Sequence, residues 1–308
     1  MKLSLHNNGW TVMVHDFDFK KASKDEIDII GCLLSSNTCI VVRNQEMSIE
    51  EEIEIVNKFG NVEKAVTEYN GIDEEQKKQN ENLIEQYHVP GSNNTLIRVT
   101  GEKNHKGEVG LFGEVHELDW HANKVEHATR KPIVWLRAVR GSEGSKTSWT
   151  NHIVAYNNLP AALKKTCQNL KVDYHYHQEY PDVHKLSSVL RDNLGIPDFY
   201  PPLVYTNEGG HQGLYFSWRQ VSSLIGPGMK PETSLRMIHL LKDHILNNPM
   251  HMYDHEWQDG DVVISEQWMG AHKRWACDTL DRRVLHRATM DFANIDFTKT
   301  QLAQSLLN

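Results

Sequence analysis

Apolar and polar positions along the chain fall into many short runs rather than a few long ones. The first 45 residues read as short strands around one helix. Residues 38–45, "TCIVVRNQ", form a run of β-branched residues and predict a buried strand. Residues 95–101 ("TLIRVTG") and 131–139 ("KPIVWLRAV") predict further strands. Residues 171–180 and 213–221 alternate, as half-buried strands do, and "VVIS" at 262–265 and "RRVLHRATMDF" at 282–292 complete the set.

Helical spacing is rarer. Ser48 and Glu51 fit a capping box, with Ile49, Ile53 and Val56 on one face and Gly60 at the stop. Residues 151–170 predict a helix after the turn-rich loop 141–149. Residues 231–247 predict another, with Pro231 in its first turn and Leu235, Ile238, Leu241 and Ile245 on its apolar face. Residues 61–94 are polar and read as a surface insertion, a charged helix or loop, with a lid over a site as the functional alternative. Strands and helices do not alternate regularly. The expected class is therefore mainly β, of the α+β kind: a jelly roll with flanking helices, in a single domain over 1–308.

Composition narrows the partners. A net charge of −8 argues against nucleic acid or an anionic membrane, both of which need a basic face. No run is long enough for a membrane span, and the N-terminal stretch is too polar for a secretory signal. Four dispersed cysteines predict free thiols in a reducing cytoplasm. A small-molecule partner remains, and a homo-oligomer is compatible with these bounds. Histidines number 18, which keeps metal chemistry open.

Two segments carry the chemistry. The first is "LDWHAN" (118–123), in which His121 is followed two residues on by Asn123. The second is "GDVVISEQWMGAHKRWACDTLDRRVLHRATMDF", which holds His272, Arg283 and Arg287. On an extended strand Arg283, Leu285 and Arg287 point to one side, so both arginines can reach one cavity. "YHYH" (174–177) and the face of Tyr253, His255 and Trp257 read as strand surface or packing, Trp135 and Trp149 as core, and His116 and His127 as flanks of an entrance.

Together with "TCIVVRNQEMSIEEEIEIVNKFGNV", "RAVRGSEGSKTSWTNHIVAYNNLP" and "YPPLVYTNEGGHQGLYFSW", in this order and spacing, these segments make the chain resemble the Fe(II)/2-oxoglutarate-dependent dioxygenases of the taurine and 2,4-D dioxygenase family over most of residues 30–295. The resemblance implies the double-stranded β-helix form of the jelly roll, with Fe(II), 2-oxoglutarate and O2 as cofactors. It implies His121 and His272 as iron ligands. Arg283 with Thr147 would hold the distal carboxylate of 2-oxoglutarate, and Arg287 an acidic group of the substrate. A guanidinium suits such work because its planar fork matches two carboxylate oxygens.

One position departs from the family. Relatives carry Asp, sometimes Glu, where this chain has Asn123. An amide oxygen can coordinate but brings neither charge nor comparable basicity. Asn123 is then a weak third ligand or leaves that place to water. Alternatively another acid substitutes: Asp119, expected on the same strand face as His121 and Asn123, or Glu126 or Glu266. A third alternative is that the position accepts chloride, as in related halogenases. The default reaction is hydroxylation of a small carboxylate- or amino-acid-like substrate, with halogenation and a non-catalytic binding protein of the same fold as alternatives.

Overall fold

The structure is a computed structural model that describes residues 1–64, 74–123, 125, 131–174, 200–279 and 281–307. A seven-stranded sheet runs in the order β1 (Lys2–Leu5), β2 (Val12–His15), β3 (Cys39–Val42), β13 (Val262–Glu266), β6 (Ile133–Arg140), β15 (Val284–Met290) and β4 (Ile97–Thr100). All its pairs are antiparallel except β2 with β3. A four-stranded sheet faces it, in the order β12 (Met252–Glu256), β7 (Lys146–Thr150), β14 (His272–Arg274) and β5 (Leu118–His121). Two short ribbons pair β9 (Val204–Thr206) with β10 (Gln212–Leu214), and β8 (Lys171–Asp173) with β11 (Ser223–Ile225). The described residues are about 30% helical and 27% strand, an α+β jelly roll rather than a nearly pure β one.

The inner strands β3, β13 and β6 of the larger sheet are buried on both faces, which is why they read as nearly continuous apolar runs. On β6, Ile133 and Trp135 turn to an outer layer. There they meet Ile27, Ile30 and Leu33 of α1 (Lys24–Asn37) and Val56 and Phe59 of α2 (Ile49–Phe59). Val134, Leu136 and Ala138 turn inward, against Trp149 of the smaller sheet and Tyr253 and Trp257. Each such large apolar side chain contributes ~1.5–3 kcal/mol by leaving water. Trp135 and Trp149 are accordingly core residues, and Tyr253, His255 and Trp257 are all buried on one face.

The capping box at Ser48 and Glu51 opens α2. Its buried stripe, however, is Glu52, Ile55, Val56 and Phe59, while Ile49 and Ile53 are only partly covered. Gly60 ends the helix for want of space: a Cβ there would lie 2.2 Å from the Asp291 carbonyl oxygen. α3 (Glu74–Tyr87) occupies part of the polar segment; residues 65–73 lie outside the described set. The helix expected over 151–170 is two, α4 (His152–Asn157) and α5 (Ala161–Cys167), because Pro160 caps the second and cannot continue the first. The supposed loop 141–149 includes β7, since "KTSWT" is paired on both sides. The alternating stretch 213–221 is strand only to Leu214. In α6 (Pro231–Leu246) the buried face is Ser234, Ile238, Leu241 and Ile245, and Leu235 is exposed. A last helix, α7 (Thr300–Ser305), packs beside α1. All four cysteines are buried and free. No helix among the described residues is long and apolar enough to cross a membrane.

Candidate active site

The two sheets enclose a cavity. From the smaller sheet its wall takes Leu118 and His121 of β5, Thr147 of β7, and His272 and Arg274 of β14. From the larger sheet it takes Leu285 and Arg287 of β15, with Arg283 just before that strand. The alternation expected for 283, 285 and 287 holds: all three face the cavity, while His286 and Ala288 face the outer layer.

His121 and His272 are register partners across β5 and β14, and their rings stand 4.2 Å apart, centroid to centroid. His121 Nδ1 is 2.7 Å from the Asp119 carbonyl oxygen, so this nitrogen carries the proton. That leaves the Nε2 lone pair free, and Nε2 is buried without a protein partner. Burial pushes the His121 pKa down to about 4, the hydrogen bond to Asp119 opposing it only in part. Burial, and then the neighbouring His121, hold His272 well below the ordinary imidazole value. Two neutral imidazoles side by side, one with an orphaned lone pair, fit a divalent metal.

No carboxylate lines the cavity among the described residues. Asn123 follows β5, its backbone N–H donating to Gln267 Oε1 at 2.9 Å. The side chain Oδ1 accepts from Arg287 Nη1 at 3.2 Å. Asp119 does not share the cavity face with His121. Opposite Arg274 and His272 of β14 stand Leu118 and His121, three residues apart against two, so a bulge breaks the alternation. Leu118 takes the inward place, and Asp119 pairs outward with Arg219 Nε at 3.3 Å. Glu266 is buried but accepts from Asn207 at 2.9 Å, and is absent from the cavity wall. Glu126 and His127 lie outside the described residues, as do His175 and His177. Among the described residues no three His, Cys, Asp or Glu side chains group as a metal site.

The remaining polar groups are cationic or hydroxyl. Thr147 is buried, and its Oγ1 accepts from Trp257 Nε1 at 2.9 Å. The indole can only donate, so the threonine proton is left to be given elsewhere. Arg283 is 1% exposed, with Nε and Nη1 unpartnered. Burial lowers Arg283 and Arg287 to about 10, which leaves both charged at neutral pH. Arg274 and Gln267 are not singled out by the sequence, and Trp257 is read there only as packing. For Arg274 the signal was available, since it stands two residues beyond His272, the spacing of one strand face.

A sequence profile of the family described as "Taurine catabolism dioxygenase TauD, TfdA family" matches residues 5–289. The chain belongs to that family. Membership makes it an oxidoreductase of the alpha-ketoglutarate-dependent dioxygenase kind, with Fe(II), 2-oxoglutarate and O2 as cofactors. Similar characterised proteins include pentalenolactone F synthase of Streptomyces arenae, 22% identical over 87% of this chain and 87% of the relative. The alpha-ketoglutarate-dependent 2,4-dichlorophenoxyacetate dioxygenase of Burkholderia sp. (strain RASC) is 25% identical over 83% of this chain and 82% of the relative. Among solved structures, a putative alpha-ketoglutarate-dependent taurine dioxygenase from Burkholderia xenovorans superposes with a TM-score of 0.66 at 21% identity, covering 94% of this chain and 88% of that one. AAD-2 in complex with Mn(II) and N-oxalylglycine has a TM-score of 0.65 at 15% identity, covering 94% and 97%. At these identities the structural likeness is one of fold.

Proposed function

We propose that this family member hydroxylates a small substrate bearing a carboxylate, an amino acid or a similar acid. In this reading His121 and His272 hold Fe(II), with the amide of Asn123 at the third protein position. Arg283 and Thr147 hold the distal carboxylate of 2-oxoglutarate, and Arg287 turns to the substrate. When bound, iron and 2-oxoglutarate would activate O2, one oxygen atom ending in succinate as CO2 is lost and the other in the hydroxylated product. The chain's own part is to orient these partners and exclude water.

The observation that carries the reading is the convergence on one cavity of the imidazole pair, the Thr147 hydroxyl and buried guanidiniums with unpartnered N–H groups. A buried charged donor without an acceptor is costly, so such groups are expected to meet an anion. The named substrates of two relatives, 2,4-dichlorophenoxyacetate and (S)-phenoxypropionate, are themselves carboxylates, which supports an acid here. The free buried thiols support a reducing, cytoplasmic setting.

A second reading has its own observation. Arg287 donates to the neutral Asn123, so positive charge stands beside the position where relatives carry an acid. That favours an external anion there, and chloride would make the reaction a halogenation. Anaerobic titration with Fe(II) and 2-oxoglutarate tests the main reading. The weak visible charge-transfer band of an iron-chelated keto acid is expected, followed by succinate on admitting O2. No band at saturating concentrations would refute the assignment. Chloride-dependent formation of a chlorinated product would favour the second reading.

A further inference from the structure

Arg274 is the third guanidinium in the cavity wall and has no place in the reading above. It is 6% exposed. Its Nη2 donates to two backbone carbonyls, Glu114 O at 2.8 Å and His116 O at 2.5 Å. Those bonds fix the group on the cavity side of β14. Its Nε and Nη1 are buried and have no acceptor. No Asp or Glu lines the cavity among the described residues. Three buried arginines therefore face a space whose described wall holds no carboxylate, Glu63 and Glu114 acting on Arg287 and Arg274 only from outside it.

Register says which end of the cavity Arg274 serves. On β14 it stands directly opposite Thr147 of β7, whereas His272 stands opposite Trp149. Arg283 is near enough that the charge of Arg274 lowers its basicity. Thr147, Arg274 and Arg283 thus group together in the wall, whereas Arg287, four residues further along, reaches past it to Asn123, which does not itself line the cavity. Two like charges held together in a buried place are mutually repelled until an anion separates them.

We propose that Arg274 and Arg283 form a two-guanidinium clamp, completed by the Thr147 hydroxyl, for the terminal carboxylate of a dicarboxylate ligand. The clamp rests on the cosubstrate reading above and adds a binding residue to it. Its consequence is selectivity: a keto acid ending in a carboxylate is favoured over one of equal length ending in a methyl group. The discrimination comes from leaving two cations unsatisfied rather than one when the methyl-ended acid binds.

The test compares 2-oxoglutarate with 2-oxovalerate by calorimetric titration of the full chain, with and without Mn(II). The variants are Arg274→Met and Arg274→Lys, the second keeping a charge at the site should the first fold poorly. Arg274→Met should lose about tenfold in affinity for 2-oxoglutarate, the size expected for one charge-assisted contact, and nothing for 2-oxovalerate. Arg274→Lys should fall between, because one ammonium cannot serve both the carbonyls and the ligand. Equal weakening of both acids, or of neither, in both variants would reduce Arg274 to an anchor for residues 114–116 and overturn the clamp while leaving the cosubstrate reading intact. A wild-type protein that does not prefer 2-oxoglutarate would remove that reading and the clamp with it.

Discussion

Arg287 donates from Nη1 to the Oδ1 of Asn123 at 3.2 Å, a contact between a strand of the larger sheet and the turn that follows β5. It ties the substrate arginine of the proposed function to the residue proposed for the third protein position at the metal. The amide oxygen is thereby polarised toward a cation on one side, which makes it a poorer donor to a metal on the other. A neutral residue also leaves Arg287 without a formal counter-charge at that point. The contact therefore bears on iron affinity and on substrate binding together.

Asn123→Asp should tighten Fe(II) binding by at least about tenfold, because carboxylate oxygen is the harder and better donor. Arg287 limits the gain, since it would share the new charge. Equilibrium titration with Fe(II) and succinate yield per turnover are the measurements. Hydroxylation through a compromised ligand set predicts that both rise. Loss of a chloride-dependent product on the same substitution would point to halogenation instead. No change in iron affinity would mean that residue 123 does not face the metal.

The two cavity arginines of β15 and its approach should divide their work. Arg283→Leu should raise the 2-oxoglutarate requirement by roughly 30-fold or more, the cost of a lost charge-assisted contact to a buried carboxylate. Arg287→Ala should keep 2-oxoglutarate affinity and lose substrate-dependent turnover. Apparent KM for each partner, measured on both variants, separates the roles. Equal loss of cosubstrate affinity in both would show that they bind one ligand.

Behind the cavity wall lies a charged network that the apolar pattern concealed. Glu52 of α2 is fully buried and accepts from Trp135 Nε1 at 2.9 Å, Arg137 Nη2 at 2.7 Å and His286 Nδ1 at 2.7 Å. It pins the helix to β6 and β15, and so fixes the strand that carries Arg287. These partners hold its carboxyl below the usual range against the opposing effect of burial. Glu52→Gln should cost about 3–5 kcal/mol, because Arg137 is left buried without its counter-ion. Urea denaturation measures it. A loss under about 1 kcal/mol would mean that the network is neutral to stability.

Much of this was legible in the chain because period and burial agreed. β3, β6 and β13 are buried on both faces, and their apolar runs announced them. The inward set 283, 285 and 287 followed from alternation alone. What failed did so for local reasons. Asp119 was expected beside His121, but the bulge opposite His272 and Arg274 puts Leu118 there instead. Ile53 and Leu235 were expected in helix cores, but the stripes turn toward Glu52 and Ser234, polar residues satisfied by Arg137 and by the Leu224 backbone N–H. A hydrophobicity pattern cannot foresee a buried polar residue whose partners are distant in sequence. Arg274 could be placed on the His272 face by spacing, but not its anchors, which are backbone carbonyls more than a hundred residues away.

Acid stability offers the last test, through a histidine outside the ligand set. His152 at the start of α4 is fully buried, with Nδ1 bonded to the Leu214 carbonyl at 3.0 Å and Nε2 to Thr150 Oγ1 at 2.9 Å. The Leu214 carbonyl takes the Nδ1 proton, and burial opposes a second proton on Nε2. Burial pushes its pKa down to about 4. The unfolded chain titrates near the ordinary value of about 6.5. Between these two values the unfolded state binds more protons than the folded one, so stability rises with pH there. The contribution is fully present above about pH 6.5 and is lost as pH falls toward 4. Going from pH 7 to pH 5 should cost the wild-type protein about 2 kcal/mol more than His152→Gln, whose side chain does not titrate. Denaturant unfolding of the metal-free protein at the two pH values gives the difference. His121 and His272 titrate in the same direction but are present in both proteins, so their effect cancels. Equal pH dependence in the two proteins would mean that His152 is not held neutral by the fold.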